Sequence, residues 1–180
     1  MSLPALVSLP AALLPIAQRG EQSLTQAIAS LSAQAAADFA AWPVQRRETL
    51  QRVTAASDFV MQQGLRDPQM LLDLAASGEL ERRLGAGELR GQLAEQLSEC
   101  TDENALARCL RRFRNRQQVR IIWRDVSRQA DLVETCRDLS DLADACIDLA
   151  YHWLYPLHCE QFGTPVGRRS GCLLYTSPSP

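Results

Sequence analysis

The 180-residue sequence contains no lysine, so all 19 of its basic side chains are arginines. Aromatic residues make up only 6% of the chain, and no run of 18 consecutive apolar residues occurs, which excludes a single apolar helix that spans a membrane. The net charge is only -2, which argues against a generic binder of polyanions such as nucleic acid. Because 46% of the residues are apolar, the chain can bury a core and is not a disordered tail.

The sequence also lacks the short motifs that mark common catalytic and cofactor sites. It has no glycine-rich phosphate loop, no G-x-S-x-G nucleophile elbow and no H-E-x-x-H pair. The six cysteines form no C-x-x-C pair, and the nearest cluster, His152, His158 and Cys159, fits no common zinc pattern. No basic signal-peptide region begins the chain, so we expect reduced thiols and a cytoplasmic protein.

Hydrophobic periodicity predicts an all-α fold of about six helices. Residues 1–20, which contain three prolines, are predicted to form an irregular lead-in. The predicted helices follow at about residues 22–40, 44–63, 68–78, 88–100 and 103–126, and a sixth of about 28 residues starts near residue 132. Gly64 is expected to end the second helix, and Pro156 is expected to mark the end of the sixth.

The sixth predicted helix has the clearest amphipathic pattern. Apolar residues recur in alternating steps of four and three: Leu132, Cys136, Leu139, Ala143, Cys146, Ala150, Trp153 and Leu157. Acidic residues occupy the other side: Asp131, Glu134, Asp138, Asp141 and Asp148. The pattern predicts that the apolar face is buried and that the acidic face is in contact with water.

Charges of opposite sign are concentrated in two adjoining stretches. Residues 108–128 contain eight arginines and one acid, a local charge of +7, whereas residues 131–148 contain six acids and one arginine, a local charge of -5. The planar fork of arginine suits phosphate groups, which favours a phosphate or polyanion site. A simpler interpretation, which the composition favours, is that two helices pair these charges at the surface, where each ion pair contributes about 0–1 kcal/mol.

Three segments are similar to those of a known family. They read R-R-F-R-N-R-Q-Q-V-R-I-I-W-R-D-V at residues 111–126, L-S-D-L-A-D-A-C-I-D-L-A at 139–150 and F-G-T-P-V-G at 162–167. This run resembles the bifunctional glutamine synthetase adenylyltransferase/adenylyl-removing enzymes, and more narrowly the start of their N-terminal, adenylyl-removing half. The resemblance is strong from about residue 105 to residue 171 and weaker from 20 to 105.

The resemblance implies a function for a full-length protein. The N-terminal half of such an enzyme removes AMP from a tyrosine of glutamine synthetase, using phosphate and releasing ADP, and the C-terminal half attaches AMP from ATP. Both halves have a nucleotidyltransferase fold whose carboxylates hold Mg²⁺. A PII signalling protein and glutamine set the balance between the two reactions.

The catalytic motif of that family, G-x-E-L-N-x-x-S-D-x-D, is expected just beyond the region of resemblance. In this sequence the resemblance stops at Gly171, and residues 172–180 are predicted to be an unrelated tail of artefactual origin. We therefore expect residues 21–171 to be the helical N-terminal part of an adenylyl-removing domain without its catalytic sheet. No catalytic or Mg²⁺-binding residue is assigned, and such a segment is expected to be inactive alone.

Two alternatives stay open. One is a self-contained helical interaction module, without catalysis, that docks partners through the two oppositely charged helices. The other is an arginine-rich binder of nucleic acid, which the scarcity of interleaved aromatic residues makes the weaker hypothesis. Within the family interpretation, most arginines between 108 and 128 are expected to pair with the acidic helix. One or two of them, such as Arg116 or Arg120, are expected to face a substrate.

Overall fold

The computed structural model describes residues 9–166, and within that range the chain is all-α, as predicted. A 3-10 turn, Ala11–Leu13, precedes eight helices. The helices are α1 (Leu14–Ala29), α2 (Ala33–Ala40), α3 (Val44–Ala56), α4 (Asp58–Arg66), α5 (Pro68–Ala76), α6 (Glu88–Leu97), α7 (Glu103–Val126) and α8 (Leu132–Phe162). None of the helices in this range combines the length and the apolar character needed to cross a bilayer.

Two of the predicted helices are in fact two helices each, which raises the count from about six to eight. The predictions of one helix over 22–40 and one over 44–63 were wrong because Ser32 and Ser57 interrupt them. The hydroxyl of each serine accepts a hydrogen bond from the backbone N–H three residues later, which starts a new helix. Gly64, expected to end the second predicted helix, lies inside α4.

The predicted irregular lead-in over residues 1–20 was wrong from Leu14 onward, where α1 begins. Pro15 lies in the first turn of α1, where a missing N–H breaks no intrahelical hydrogen bond. Residues 1–8 and the predicted tail over 172–180 lie outside the described residues.

Aspartate side chains cap the starts of three helices. Asp67, Asp102 and Asp131 each accept a hydrogen bond from the backbone N–H three residues later, at the starts of α5, α7 and α8. Gly87 adopts the left-handed conformation (φ 75°) that leads into α6. The starts of α5, α6 and α7 therefore agree with the prediction.

Helix α7 lies at the centre of the fold because it contributes to both apolar clusters. The first cluster joins α1–α5 to Val119 and Trp123 of α7, and the second joins α6 and α8 to Phe113 and Ile121 of α7. Trp123 is only 1% exposed, and truncation of such a side chain typically costs about 3–5 kcal/mol. The position of α7 is therefore strongly fixed, and with it the positions of its arginines.

The largest departure from prediction is the orientation of α8. The residues of α8 that are buried are Leu142 and Ala145, together with the acidic Glu134 and Asp138. The side predicted to be buried is instead largely open to solvent, with Leu132 75% exposed. We call a row of exposed apolar residues of α8 the outer stripe. Five of them belong to the side predicted to be buried, Leu132, Cys136, Leu139, Ala143 and Leu157, and Ile147 and Tyr151 lie beside them.

Only part of the predicted apolar face of α8 reaches the core. Cys146 and Trp153 are half-buried against the second cluster. Pro156, expected at the end of the helix, lies inside it, and α8 continues to Phe162. The reason for the rotated orientation is found in the partners of the buried acids, which are arginines of α7.

Candidate functional site

The arginines of α7 fall into two groups that differ in burial. Arg120 and Arg124, in the C-terminal half of the helix, are buried. In the N-terminal half the side chains of four arginines are exposed: Arg108, Arg111, Arg112 and Arg114. Arg116 lies between the two groups, with 21% of its side chain exposed.

Arg120 forms a buried ion pair with α8. Its Nη1 donates to Oδ2 of Asp138 at 2.8 Å, and the two side chains are 0% and 5% exposed. Arg120 Nη2 also donates to the backbone oxygen of Arg82 at 3.4 Å, and Arg137 donates to the other oxygen of Asp138 at 3.0 Å. Burial lowers the pKa of Arg120, and the hydrogen bond to Asp138 opposes that shift. An arginine remains charged despite such a shift, so Asp138 is needed as its counter-ion.

Arg124 forms a second buried pair one helical turn further along. Its Nε and Nη2 donate to Oε1 of Glu134 at 3.1 and 2.8 Å, and Nη2 also donates to the backbone oxygen of Gln129 at 3.2 Å. We call Arg120, Arg124, Glu134 and Asp138 the ion seam. Pairing between the basic and acidic helices is seen for Arg124 and for Arg120, although Arg120 was expected to face a substrate. The expectation that most arginines between 108 and 128 pair with the acidic helix was wrong, and so was the expectation that the pairs lie at the surface.

The structure places the two predicted substrate-facing arginines in different environments. Arg116 Nη2 lies 3.4 Å from Oε2 of Glu79, and its side chain lines a cavity of about 670 Å³ between α6 and α7. Arg120 is buried in the ion seam, with 0% of its side chain exposed, and it is not among the residues that line this cavity. A substrate role for either residue stays a prediction.

The cavity beside Arg116 has an almost balanced set of charged side chains: Asp67, Glu79, Glu95, Glu99, Arg108, Arg112 and Arg116. Two thiols also line it, and both lie near Gln96: Cys100 Sγ is 3.8 Å from its backbone oxygen and Cys109 Sγ is 3.9 Å from its Oε1. Burial and the neighbouring Cys100 raise the pKa of Cys109. Cys109 is therefore poorly suited to act as a nucleophile at neutral pH.

A smaller depression of about 310 Å³ lies between the end of α4 and the N-terminal half of α7. Four arginines line it, and we call it the arginine groove: Arg66, Arg108, Arg111 and Arg112. Asp67 is the one acid among its lining residues, and Oδ1 of Asp67 is engaged by the N–H of Met70 at 3.1 Å. Sequence reasoning missed this grouping because Arg66 lies far from the other three arginines along the chain.

The family resemblance implies Mg²⁺ for a full-length protein, and no residue of this sequence was expected to bind it. Between residues 9 and 166 no group of three or more His, Cys, Asp or Glu side chains is arranged to hold a metal ion. His152 lies beside Asp148, whereas His158 lies 3.9 Å from Glu103. No catalytic step through a metal can therefore be derived from these residues.

Comparison with known proteins identifies the same family as the resemblance of the three sequence segments. Residues 47–174 match the family model of glutamate-ammonia ligase adenylyltransferase. The chain is 63% identical over 171 residues to a protein of Pseudomonas syringae pv. tomato, and 61% identical over 171 residues to one of Pseudomonas aeruginosa. It is also 43% identical over 124 residues to a protein of Nitrosococcus oceani. All three relatives bear the name bifunctional glutamine synthetase adenylyltransferase/adenylyl-removing enzyme.

The similarity covers more of the chain than the quoted segments alone. The two Pseudomonas alignments cover 95% of the chain, and the Nitrosococcus alignment covers 69%. In the other direction, the chain spans only 17% of the length of the Pseudomonas relatives and 13% of the Nitrosococcus relative. The boundary predicted after Gly171 stays a prediction.

Proposed function

The chain belongs to the glutamate-ammonia ligase adenylyltransferase family, and we propose that it forms the helical N-terminal part of the adenylyl-removing half of a bifunctional enzyme. The observation that carries the proposal is the 63% identity over 171 residues to a relative that is named for both activities. Because the chain spans 17% of that relative, the activity, substrates and partners of the whole protein belong to the proposal.

The proposed reaction is phosphorolysis of a nucleotidylated tyrosine. An oxygen of inorganic phosphate attacks the phosphorus of the AMP group on glutamine synthetase, the bond to the tyrosine oxygen breaks, and ADP and unmodified tyrosine are released. The other half of the enzyme is proposed to add AMP from ATP, with release of pyrophosphate. Glutamine synthetase is thus the proposed partner and Mg²⁺ the proposed metal. A PII signalling protein is the proposed regulator, and the cytoplasm is the proposed location.

The proposed contribution of this chain is an apolar contact surface. The reacting groups are proposed to lie elsewhere in the enzyme. The ion seam fixes α8 against α7, and α8 presents its outer stripe to solvent. Two arginines are proposed to face a substrate. Arg116 is the better placed of the two because its side chain lines a cavity, whereas Arg120 is buried.

The proposal is tested by measuring ADP released from adenylylated glutamine synthetase in the presence and absence of phosphate. A polypeptide extended to the length of the relatives is expected to release ADP only when phosphate is added. The 180-residue chain at the same concentration is the matched control and is expected to release none. Absence of phosphate-dependent ADP from the extended polypeptide, or its release by the short chain, would contradict the proposal.

A second candidate function is a self-contained helical interaction module without catalysis. The outer stripe of α8 favours it, since a row of exposed apolar side chains is typical of a surface that binds another protein. The two proposals predict different behaviour of the purified 180-residue chain. The outer stripe is exposed in this chain under both proposals, so the two are separated by association: a module is expected to be monodisperse, whereas a helical part of a larger enzyme is expected to aggregate.

A further inference from the structure

We propose that the arginine groove is a binding site for the diphosphate group of a small anion. This site goes beyond the proposed reaction, whose reacting groups are proposed to lie elsewhere in the enzyme, and it does not include Arg116. The inference rests on three features of the groove: four arginines line it, no carboxylate lies within 4 Å of them among the described residues, and its size and remaining lining suit a small anion.

The four guanidinium groups come from two different helices. Arg66 lies in the last turn of α4, and Arg108, Arg111 and Arg112 lie on the N-terminal half of α7. A hydrogen bond ties the two helices together beside the groove, because Asn115 Nδ2 donates to Gln63 Oε1 at 2.9 Å. The groove is therefore a site built from two fixed elements, unlike a row of charges along a single exposed helix.

The arginines of the groove have no acid partner among the described residues, a property that they share on α7 with Arg114, whose Nη2 donates to the amide Oδ1 of Asn115. Arg116, Arg120 and Arg124 each lie within 4 Å of a carboxylate. Among the described residues, no carboxylate lies within that distance of the four groove arginines. Four arginines and one acid, Asp67, line the groove, so its lining carries a net positive charge. An anionic ligand would neutralise this concentrated positive charge.

The chemistry of the lining selects the class of anion. Arginine's fork donates two parallel hydrogen bonds to phosphate oxygens, so several arginines together suit a group with many oxygens. The volume of about 310 Å³ is near the lower limit for a small-molecule site. No aromatic side chain lines the groove, so a nucleotide base would find no stacking surface. These features favour recognition of a diphosphate group over recognition of a base or of nucleic acid.

The test is a calorimetric titration of the 180-residue chain with inorganic pyrophosphate. Saturable binding is expected, and it should weaken as the salt concentration is raised, because the site is partly exposed. The double variant Arg66→Ala/Arg111→Ala removes two arginines that line the groove and not the larger cavity. We expect it to bind at least tenfold more weakly, with an unchanged far-UV circular dichroism spectrum.

Two single variants locate the site. Arg19→Ala removes an exposed arginine of α1 and should leave binding unchanged. Arg116→Ala alters the larger cavity, and loss of binding in that variant alone would place the anion there and overturn the proposal. Absence of saturable binding, or equal binding by the groove double variant, would also overturn it. So would tighter binding of a single-stranded oligonucleotide that displaces pyrophosphate. The readout is binding, so its failure leaves the proposed phosphorolysis untouched.

Discussion

Arg120 and Asp138 meet across the interface of α7 and α8, with Nη1 and Oδ2 2.8 Å apart in a position that is almost closed to solvent. Removal of one partner leaves the other as an uncompensated charge in the interior. Such losses typically cost about 3–5 kcal/mol, whereas replacement of both partners by apolar side chains is often neutral or stabilising. This pair therefore governs how α8 is oriented more than how stable the protein is.

The first prediction concerns single and double replacements of this pair. Arg120→Met or Asp138→Leu should each lower the free energy of unfolding, measured by urea denaturation, by about 3–5 kcal/mol. The double variant should recover most of that loss. Recovery is expected because Nε of Arg120 is buried without a hydrogen-bond partner in the described residues, so the native pair leaves one donor unsatisfied.

An exposed pair provides the control for this prediction. Arg90 and Asp148 join α6 to α8 at the surface, with 51% and 41% of their side chains exposed. Arg90→Met should change the free energy of unfolding by less than about 1 kcal/mol. Equal losses for the buried and the exposed pair would contradict the placement of the ion seam.

The second prediction tests which face of α8 is buried. Leu142 is 3% exposed and Ile147 is 70% exposed. Leu142→Ala should cost about 2–5 kcal/mol because it opens a cavity in the second cluster, whereas Ile147→Ala should stay within about 0.5 kcal/mol in the 180-residue chain. Urea denaturation of both variants checks this. A larger loss for Ile147 than for Leu142 would contradict the orientation of α8 in the structure.

The third prediction concerns the dependence of stability on pH at the start of α6. A hydrogen bond from Arg82 and a second from the Gly85 backbone lower the pKa of Glu88 from its ordinary value of 4.5 to about 2. The unfolded chain therefore takes up a proton at higher pH than the folded one. The stabilisation is complete above the unfolded value and is lost progressively as the pH falls through about 4.5 towards about 2.

The urea concentration at the midpoint of unfolding should fall as the pH is lowered from 6 to 3. In Glu88→Gln this fall should be smaller than in the unsubstituted chain. Glu95→Gln removes one carboxylate from the same helix and serves as the control, with a decline close to that of the unsubstituted chain. Parallel curves for the unsubstituted chain and Glu88→Gln would show that the Arg82 contact does not hold in solution.

Much of the helical architecture is encoded locally and could be predicted. Pro68, Gly87 and Asp102 mark the starts of α5, α6 and α7 because their backbone or side-chain chemistry suits those positions. Ser32 and Ser57 were missed as helix starts because serine is tolerated inside a helix, and the apolar repeat continues through both positions.

The orientation of α8 could not be predicted from the amphipathic pattern. Burial of Asp138 depends on Arg120, which lies 18 positions earlier and on another helix. A hydrophobic repeat contains no information about such a partner. The arginine groove was missed for the same reason, since it exists only where α4 brings Arg66 beside α7. The family resemblance, in contrast, could be recognised because it depends on the order of residues alone.

The central claim, that this chain is the helical part of a larger enzyme, is tested most directly by the accessibility of Cys136 in the outer stripe. Its reaction with a maleimide would be followed by mass spectrometry in the 180-residue chain and in a polypeptide extended to the length of the relatives. Val44→Cys, at an exposed position of α3 where the native side chain is 67% exposed, provides the reference thiol. We predict that Cys136 reacts at least tenfold more slowly in the extended polypeptide, relative to the reference thiol. Equal relative rates in the two proteins would contradict the claim and would favour a self-contained module.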